Sequence, residues 1–233
     1  MIAENIKHLS ERIAAKCAEF ERNQKEIRFI AVSKFFGVDA INEANSLGVT
    51  DFGENKAQEL RDKYEILGDK ITWHFIGTLQ RNKVKYAVKA ASFIHSVDSS
   101  MLADEINKEA IKLNKVQKIL LEVKTSFEES KSGLSNHTEV LELVNHCSTL
   151  SNIELVGLMT MAPFTDDESI IRKSFSDLRK LKDEINKNGF YLSELSMGMT
   201  NDFEIAIEEG ATMLRIGSAI FGQRDTTKDW RQS

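Results

Sequence analysis

The sequence predicts an α/β protein in which eight parallel βα units close into a (β/α)8 TIM barrel. Short apolar segments rich in β-branched residues alternate with longer amphipathic segments along the 233 residues, as is typical of parallel βα units. A barrel of this kind usually has about 250 residues. The alternative is an open doubly wound sheet, whose first turn usually carries a Gly-x-Gly-x-x-Gly fingerprint. Here the first turn reads Ser33-Lys34-Phe35-Phe36-Gly37, so we favour the closed barrel.

An extra helix is expected ahead of the barrel. Apolar residues recur there at spacings of three and four, the period of an amphipathic helix that ends near Asn23. These residues are Ile2, Ile6, Leu9, Ile13, Cys17 and Phe20. The eight strands are predicted at residues 27–32, 49–52, 72–76, 92–96, 118–123, 153–158, 192–196 and 212–216.

Helix signals lie between these strands. Gly68, Asn188-Gly189 and Gly210 follow helical apolar patterns, where glycine or asparagine commonly ends a helix. Asn136 and Glu139 have the spacing of an N-cap residue and its partner at the third helical position, so a helix is expected to start there.

Composition narrows the choice of partners and compartment. The chain has 31 Lys and Arg against 36 Asp and Glu, a formal net charge of −5, so neither nucleic acid nor an anionic membrane is an expected partner. The N-terminus lacks an apolar signal region, and we expect a cytoplasmic protein.

No Pro-, Gly- or Ser-rich linker divides the sequence, so residues 1–233 are predicted to form one domain. Cys17 and Cys147 fit no metal or redox motif and are interpreted as buried small hydrophobic residues.

Lys34 is the first candidate site residue. The chemistry of such barrels lies at the carboxyl ends of the strands, and Lys34 directly follows the first predicted strand. If its ammonium points into the mouth, desolvation lowers its pKa, and a neutral lysine can condense with an aldehyde to form an imine. The alternative is a lysine that merely extends to solvent.

Residues after the last two strands suggest a phosphate site. Ser196 and the pair Gly217-Ser218 follow strands seven and eight, where barrels commonly hold a phosphate on backbone N–H groups. The alternative is a turn glycine followed by a helix-capping serine. Arg215 lies between Leu214 and Ile216 in the last strand and must find an acceptor or a ligand. A phosphorylated aldehyde with a ring acceptor satisfies all three features, and pyridoxal 5′-phosphate (PLP) is such a molecule.

The motifs that carry these residues resemble those of a known family. The sequence resembles the pyridoxal phosphate homeostasis proteins (PLP-binding proteins, the YggS/PROSC family) over essentially the whole chain after the first helix. The matching segments are residues 31–34 (AVSK), 52–55 (FGEN), 73–83 (WHFIG, LQ and NK), 95–98 (HSVD), 129–133 (ESKSG), 157–163 (GLMTMAP), 195–202 (LSMGMTND) and 215–222 (RIGSAIFG).

The resemblance implies a fold and a set of site residues. The fold would be a single barrel like the N-terminal domain of alanine racemase (fold type III), with PLP held as an imine on Lys34. Asn55 would lie near the cofactor ring and Arg215 near its pyridine nitrogen. The phosphate group would lie near Ser196, Met197, Gly217 and Ser218. Because arginine stays protonated and only donates, the pyridine nitrogen would stay unprotonated and the ring would be a weak electron sink.

Some positions depart from the family pattern. Phe35-Phe36 follows the lysine where the family usually has threonine and a nearby proline, and Thr78 and Arg81 replace a more usual proline and serine. These departures concern contacts around the site rather than the lysine. His74 is interpreted as a satisfied structural histidine rather than a cofactor partner. Lys131, which could accept or guard PLP, is interpreted as a solvated lysine.

The resemblance implies a PLP carrier or buffer without turnover, which lowers free PLP and releases it to PLP-dependent apoenzymes. We expect a monomer. A fold type III amino-acid racemase or decarboxylase is the alternative, disfavoured because those enzymes carry an additional β-domain. A lysine-imine aldolase acting on sugar phosphates without PLP is a third possibility.

Overall fold

Eight parallel strands form a closed barrel in chain order, and the first strand pairs with both the second and the last. The computed structural model describes residues 1–125, 133–223 and 230–232. The strands are β1 (Arg28–Val32), β2 (Asp51–Glu54), β3 (Thr72–Phe75), β4 (Phe93–Val97), β5 (Gln117–Glu122), β6 (Ile153–Met159), β7 (Glu194–Ser196) and β8 (Met213–Ile216). The predicted TIM barrel is therefore confirmed, and the open doubly wound sheet is excluded.

Helices follow the strands around the barrel. They are α1 (Ile2–Glu19), α2 (Val38–Ser46), α3 (Ala57–Leu67), α4 (Val84–Ala90), α5 (Ser100–Lys112), α6 (His137–Ser148), α7 (Glu168–Lys187), α8 (Phe203–Glu208) and α9 (Ser218–Phe221). Short 3-10 turns lie at Gln24–Glu26, Gly68–Lys70, Arg81–Lys83 and Trp230–Gln232. In the part of the chain described, no helix is long and apolar enough to cross a membrane.

The predicted second strand starts too early in the sequence. Val49 was expected to open it, but β2 begins at Asp51. The backbone N–H of Val49 donates to the carbonyl oxygen of Ala44 at 3.2 Å, and its own carbonyl accepts from the Asn45 side chain at 2.9 Å. Because both backbone groups of Val49 close the end of α2, neither is available to the barrel ladder.

The extra helix α1 lies against the last elements of the barrel. It ends at Glu19, four residues before the predicted Asn23, because Glu21 adopts a left-handed conformation with φ of 52°. Asn5 donates to the carbonyl oxygen of Ile220 at 2.9 Å. Arg22 donates to the carbonyl oxygen of Ala211 at 2.8 Å, so both ends of α1 are fixed to the closing segment.

Two local predictions outside the barrel ladder are confirmed. The side chain of Asn136 caps α6 by accepting from the backbone N–H of Glu139 at 2.9 Å. Cys17 and Cys147 are both buried and free. Burial raises the pKa of the Cys147 thiol to about 12, so this thiol stays protonated and inert.

The buried residues of the strands include an apolar cluster and a polar group. The apolar cluster consists of Ile30, Phe93, Leu120, Val156, Met159 and Met213. The polar group includes His95, Ser196 and Arg215, all buried. This polar group lies towards the carboxyl ends of the strands, where the candidate residues were predicted.

Candidate functional site

Lys34 lies in a tight turn that leaves the carboxyl end of β1. The backbone N–H of Phe36 donates to the carbonyl oxygen of Ser33 at 3.0 Å and closes the turn. Phe35 takes the left-handed conformation with φ of 71°, which an aromatic residue adopts only when its surroundings hold it there. Its N–H donates to Glu59 at 2.9 Å. The lysine is half-buried and follows β1 on a constrained backbone.

A buried charge cluster holds this turn from below. Lys63, in α3, is fully buried, and its Nζ donates to the carbonyl oxygen of Ser33 at 2.9 Å. The same ammonium donates to one oxygen of Glu54 and one of Glu59, each at 2.8 Å. Burial and the nearby Glu59 charge raise the pKa of Glu54 to about 7, although Lys63 opposes the shift. The cluster fixes the residues on both sides of Lys34.

Asn55 follows β2 at the same end of the barrel. Its Oδ1 is buried and has no hydrogen-bond partner among the residues that the structure describes. Gly77 allows this placement, because a Cβ at position 77 would lie 2.3 Å from the carbonyl oxygen of Asn55. A buried acceptor without a partner costs free energy, which a bound donor would recover.

Arg215 points from β8 into the barrel. Its Nη1 donates to Ser196 Oγ at 2.6 Å, and its Nη2 donates to the carbonyl oxygen of Thr160 at 2.8 Å. Burial lowers the pKa of the guanidinium to about 10. Because this value lies well above neutral pH, Arg215 remains a cation that can only donate hydrogen bonds.

Ser196 ends β7 and connects Arg215 to two buried histidines. Ser196 Oγ lies 2.9 Å from His95 Nδ1, and His95 Nε2 lies 2.9 Å from His74 Nδ1. His74 Nε2 lies 2.9 Å from a carboxylate oxygen of Asp51, at the start of β2. Burial lowers the pKa of His74 and lowers that of His95 well below its usual value, so both rings are neutral at pH 7.

The remaining predicted residues lie in the loops after β7 and β8. Met197 is buried and hydrogen-bonded to the neighbouring strand, its N–H donating to the carbonyl oxygen of Met213 at 3.1 Å. Gly217 occupies the N-cap position of α9 and offers no side chain there. The hydroxyl of Ser218 lies 3.3 Å from that of Thr200, so the two loops meet.

The predicted residues therefore gather at one end of four neighbouring strands. Lys34 follows β1, Asn55 follows β2, and the others lie in or after β7 and β8. The structure brings Ser196 to Arg215 and Ser218 to Thr200, at different depths of the mouth. Lys131 lies outside the described residues.

Sequence reasoning missed two parts of this region. Glu59 and Lys63 are four residues apart in an amphipathic helix, which ordinarily indicates a surface ion pair, and no local signal distinguishes a buried one. His95 lies in the segment 95–98 that resembles the family, but the sequence alone assigns it no role. In the described residues no group of three or more His, Cys, Asp or Glu side chains could hold a metal ion.

Comparison with known proteins identifies the family. The family model for the N-terminal domain of alanine racemase matches residues 3–225. A pyridoxal phosphate homeostasis protein from Aquifex aeolicus is 42% identical over 223 residues, which is 95% of this chain and 97% of the relative. The chain belongs to the pyridoxal phosphate homeostasis protein family.

Solved structures support the same assignment at the level of the fold. PipY from Synechococcus elongatus, solved with PLP bound, superposes with a TM-score of 0.84 at 33% identity, and the match covers 95% of this chain and all of that one. Alanine racemase from Streptomyces coelicolor superposes with a TM-score of 0.70 at 16% identity over 92% of this chain and 57% of its own. The resemblance between pyridoxal phosphate homeostasis proteins and the alanine racemase barrel is therefore confirmed for the fold.

Proposed function

We propose that this chain binds pyridoxal 5′-phosphate covalently at Lys34 and acts in PLP homeostasis as a carrier or buffer. The observation that carries the proposal is the convergence of a turn-held lysine, an unpartnered buried acceptor and a buried arginine on adjacent strand ends of a barrel whose relatives are pyridoxal phosphate homeostasis proteins. PipY was solved with PLP bound to the same fold.

The donor set fits the parts of the cofactor. Lys34 supplies an amine for the aldehyde carbon, and Arg215 supplies a donor for the ring nitrogen. Asn55 Oδ1 supplies an acceptor near the ring. Gly217 and Ser218 open α9, and the first N–H groups of a helix have no acceptor within it, so backbone donors are available for a phosphate. When bound, the cofactor supplies a reactive aldehyde and an electron-accepting ring.

The charge of Arg215 favours binding of the cofactor without catalysis by it. With a pKa of about 10 the guanidinium keeps its protons at neutral pH and donates towards the ring nitrogen. A ring nitrogen that faces a donor cation stays unprotonated, which weakens the ring as an electron sink. We propose that the protein binds PLP and releases it to PLP-dependent apoenzymes in the cytoplasm, as a monomer, without turnover of amino acids.

The second candidate is a fold type III racemase or decarboxylase. It is favoured by the match of residues 3–225 to the N-terminal domain of alanine racemase. An assay of amino-acid racemisation and decarboxylation by the PLP-loaded protein separates the two functions. Turnover at rates typical of enzymes, about 1–1,000 per second, would overturn the carrier proposal.

Mass spectrometry of the borohydride-reduced protein tests the site. The PLP-loaded wild type should carry a reduced pyridoxyl adduct on Lys34, and the Lys34→Ala variant should carry none there and lose the visible absorption of the loaded protein. Lys56→Ala is the matched control, because Lys56 is exposed and lies 5.1 Å from the Phe35 ring in the same turn region. An adduct on another lysine with Lys34 unmodified would refute the assignment. Borohydride trapping of a sugar phosphate in the absence of PLP would favour the aldolase.

A further inference from the structure

Three buried side chains link Asp51 to Arg215 through four hydrogen bonds inside the barrel. The hydrogen bonds run from Asp51 to His74, from His74 to His95, and from His95 to Ser196, each at 2.9 Å. Ser196 then meets Arg215 at 2.6 Å. Both histidines and Ser196 are fully buried, so each hydrogen bond has a direction that the protein itself must set.

Asp51 is the fixed end of this chain. Burial acts to raise the pKa of its carboxyl group, but hydrogen bonds from His74 and Thr50 and the charge of Arg28 outweigh burial and lower it. Arg28 Nε lies 3.5 Å from the carboxylate oxygen that faces His74. An ionised carboxylate only accepts hydrogen bonds, so His74 must carry a hydrogen on Nε2.

The first tautomer determines the second. A neutral imidazole has one N–H, so His74 Nδ1 is an acceptor and His95 Nε2 must be the donor to it. Consequently His95 Nδ1 carries no hydrogen and accepts from Ser196. The orientation of the His74 ring is fixed by these same contacts, because a flipped ring would place carbon atoms against Asp51 and His95 where the two nitrogens now lie.

Ser196 transmits the direction to Arg215. With its hydroxyl hydrogen directed at His95, Ser196 presents only lone pairs to the guanidinium, which matches the donor Nη1 of Arg215. In the opposite direction Ser196 would accept from both His95 and Arg215, and its own hydrogen would need a new acceptor in a buried region. A buried hydroxyl without an acceptor is disfavoured.

We propose that Asp51 fixes the tautomers of His74 and His95, both with the hydrogen on Nε2, and so commits the Ser196 hydroxyl hydrogen to His95 and its lone pair to Arg215. Asp51, His74 and His95 are positioning residues for Arg215. They hold the guanidinium from the opposite end of the barrel, with the carbonyl oxygen of Thr160 as its second anchor. This proposal rests on the proposed function only in assigning Arg215 to the cofactor ring.

Nitrogen-15 NMR of the histidine side chains in the PLP-free protein tests the proposal without any activity measurement. Long-range nitrogen–proton correlation spectra distinguish the two neutral tautomers directly. The His8→Gln, His137→Gln and His146→Gln substitutions remove the histidines outside the barrel, so that only His74 and His95 remain among the five. At neutral pH both should show a protonated Nε2 and an unprotonated Nδ1. Either ring with its hydrogen on Nδ1, or either ring doubly protonated, would overturn the proposal.

Two variants test whether Asp51 is the cause. In Asp51→Asn the carboxamide can present either an acceptor or a donor to His74, so one or both histidines should lose the uniform Nε2–H form. Thr50→Val is the matched control, because it removes the hydrogen bond to the other carboxylate oxygen and leaves the one facing His74 in place. Its spectrum should match that of the wild type. Unchanged tautomers in folded Asp51→Asn, as judged by its thermal unfolding, would overturn the role of Asp51. Failure of the wild-type protein to bind PLP would leave these spectra unaffected, because they are recorded without PLP, so the two failures are distinguishable.

Discussion

Lys63 donates a hydrogen bond from its buried ammonium to the backbone carbonyl oxygen of Ser33 at 2.9 Å, one residue before Lys34. A helix lysine thereby supports the turn that presents the candidate PLP-binding lysine. The support is backed by Glu59, which binds both the ammonium of Lys63 and the N–H of Phe35. The position of Lys34 therefore depends on the buried charges that contact its two neighbours, Ser33 and Phe35.

Replacing Lys63 with methionine should destabilise the protein by about 3–5 kcal/mol. The substitution keeps the volume of the side chain but leaves Glu54 and Glu59 buried without their cation, and breaking a buried ion pair from one side has this cost. Urea unfolding measures the change. Lys108→Met, which removes an exposed ion pair with Glu105, should cost at most about 1 kcal/mol. Equal costs for the two variants would contradict the role of Lys63.

Glu54 should make the stability fall as the pH rises. Its pKa is about 7 in the folded protein and 4.5 as an ordinary glutamate, so the folded state holds a proton that the unfolded state releases. The free energy of unfolding should therefore decrease between about pH 4.5 and pH 7, by up to about 3 kcal/mol from this group, and level off above. Unfolding should be measured at pH 5, 6, 7 and 8. The free energy of unfolding of Glu54→Gln should rise relative to that of the wild type as the pH increases over this range. Parallel pH profiles would show that Glu54 is ionised throughout.

Gly77→Ala should lower both stability and PLP affinity. The new Cβ would lie 2.3 Å from the carbonyl oxygen of Asn55, so the backbone after β2 or β3 must shift. A loss of about 1–3 kcal/mol is expected from such overpacking. Thermal unfolding and a spectroscopic PLP titration measure the two effects. Thr78→Ala, at the exposed next position, is the control and should leave both unchanged.

Gly217→Ala should weaken the binding of PLP without unfolding the barrel. Position 217 has a negative φ of −113°, and a Cβ there would meet Val32 at an ordinary 3.5 Å, so the fold accommodates alanine. The methyl group would instead hinder the approach of a phosphate to the backbone that opens α9. We expect about a tenfold rise in Kd, equivalent to about 1.4 kcal/mol.

Pyridoxal without the phosphate provides the control for this variant. Its affinity should be the same for Gly217→Ala and the wild type, measured by the same titration. A similar loss of affinity for both ligands would mean that Gly217 does not lie at the phosphate.

Much of the barrel was predictable because its strands are local in sequence. Buried parallel strands are short continuous apolar runs, and a run such as Lys118–Val123 is recognisable without its neighbours. The prediction at Val49 was wrong because the same residue also closes a helix, and the backbone hydrogen bonds decide between the two. The errors of the sequence-based prediction therefore lie at the ends of strands, whereas the number and order of the strands were predicted correctly.

The site was predictable only where chemistry follows a strand directly. Lys34, Asn55 and Arg215 lie in or beside strands, so the fold brings them to one end of the barrel. Lys63 could not be predicted, because in sequence it is one of many helix lysines and becomes buried only when α3 packs against β2 and β3. His95 likewise acquires its role from His74 and Ser196, which are 21 and 101 positions away along the chain.

The packing of α1 constrains the order in which the elements of the protein can fold. The hydrogen bond from Asn5 to Ile220 spans 215 positions, and the bond from Arg22 to Ala211 spans 189. During synthesis the first helix therefore emerges long before its docking surface exists. Its apolar face, with Leu9 and Ile13, stays without native partners until the final strand has been made. The helix α1 is thus made early but is among the last elements to pack, and during that interval a chaperone has an apolar helix to recognise.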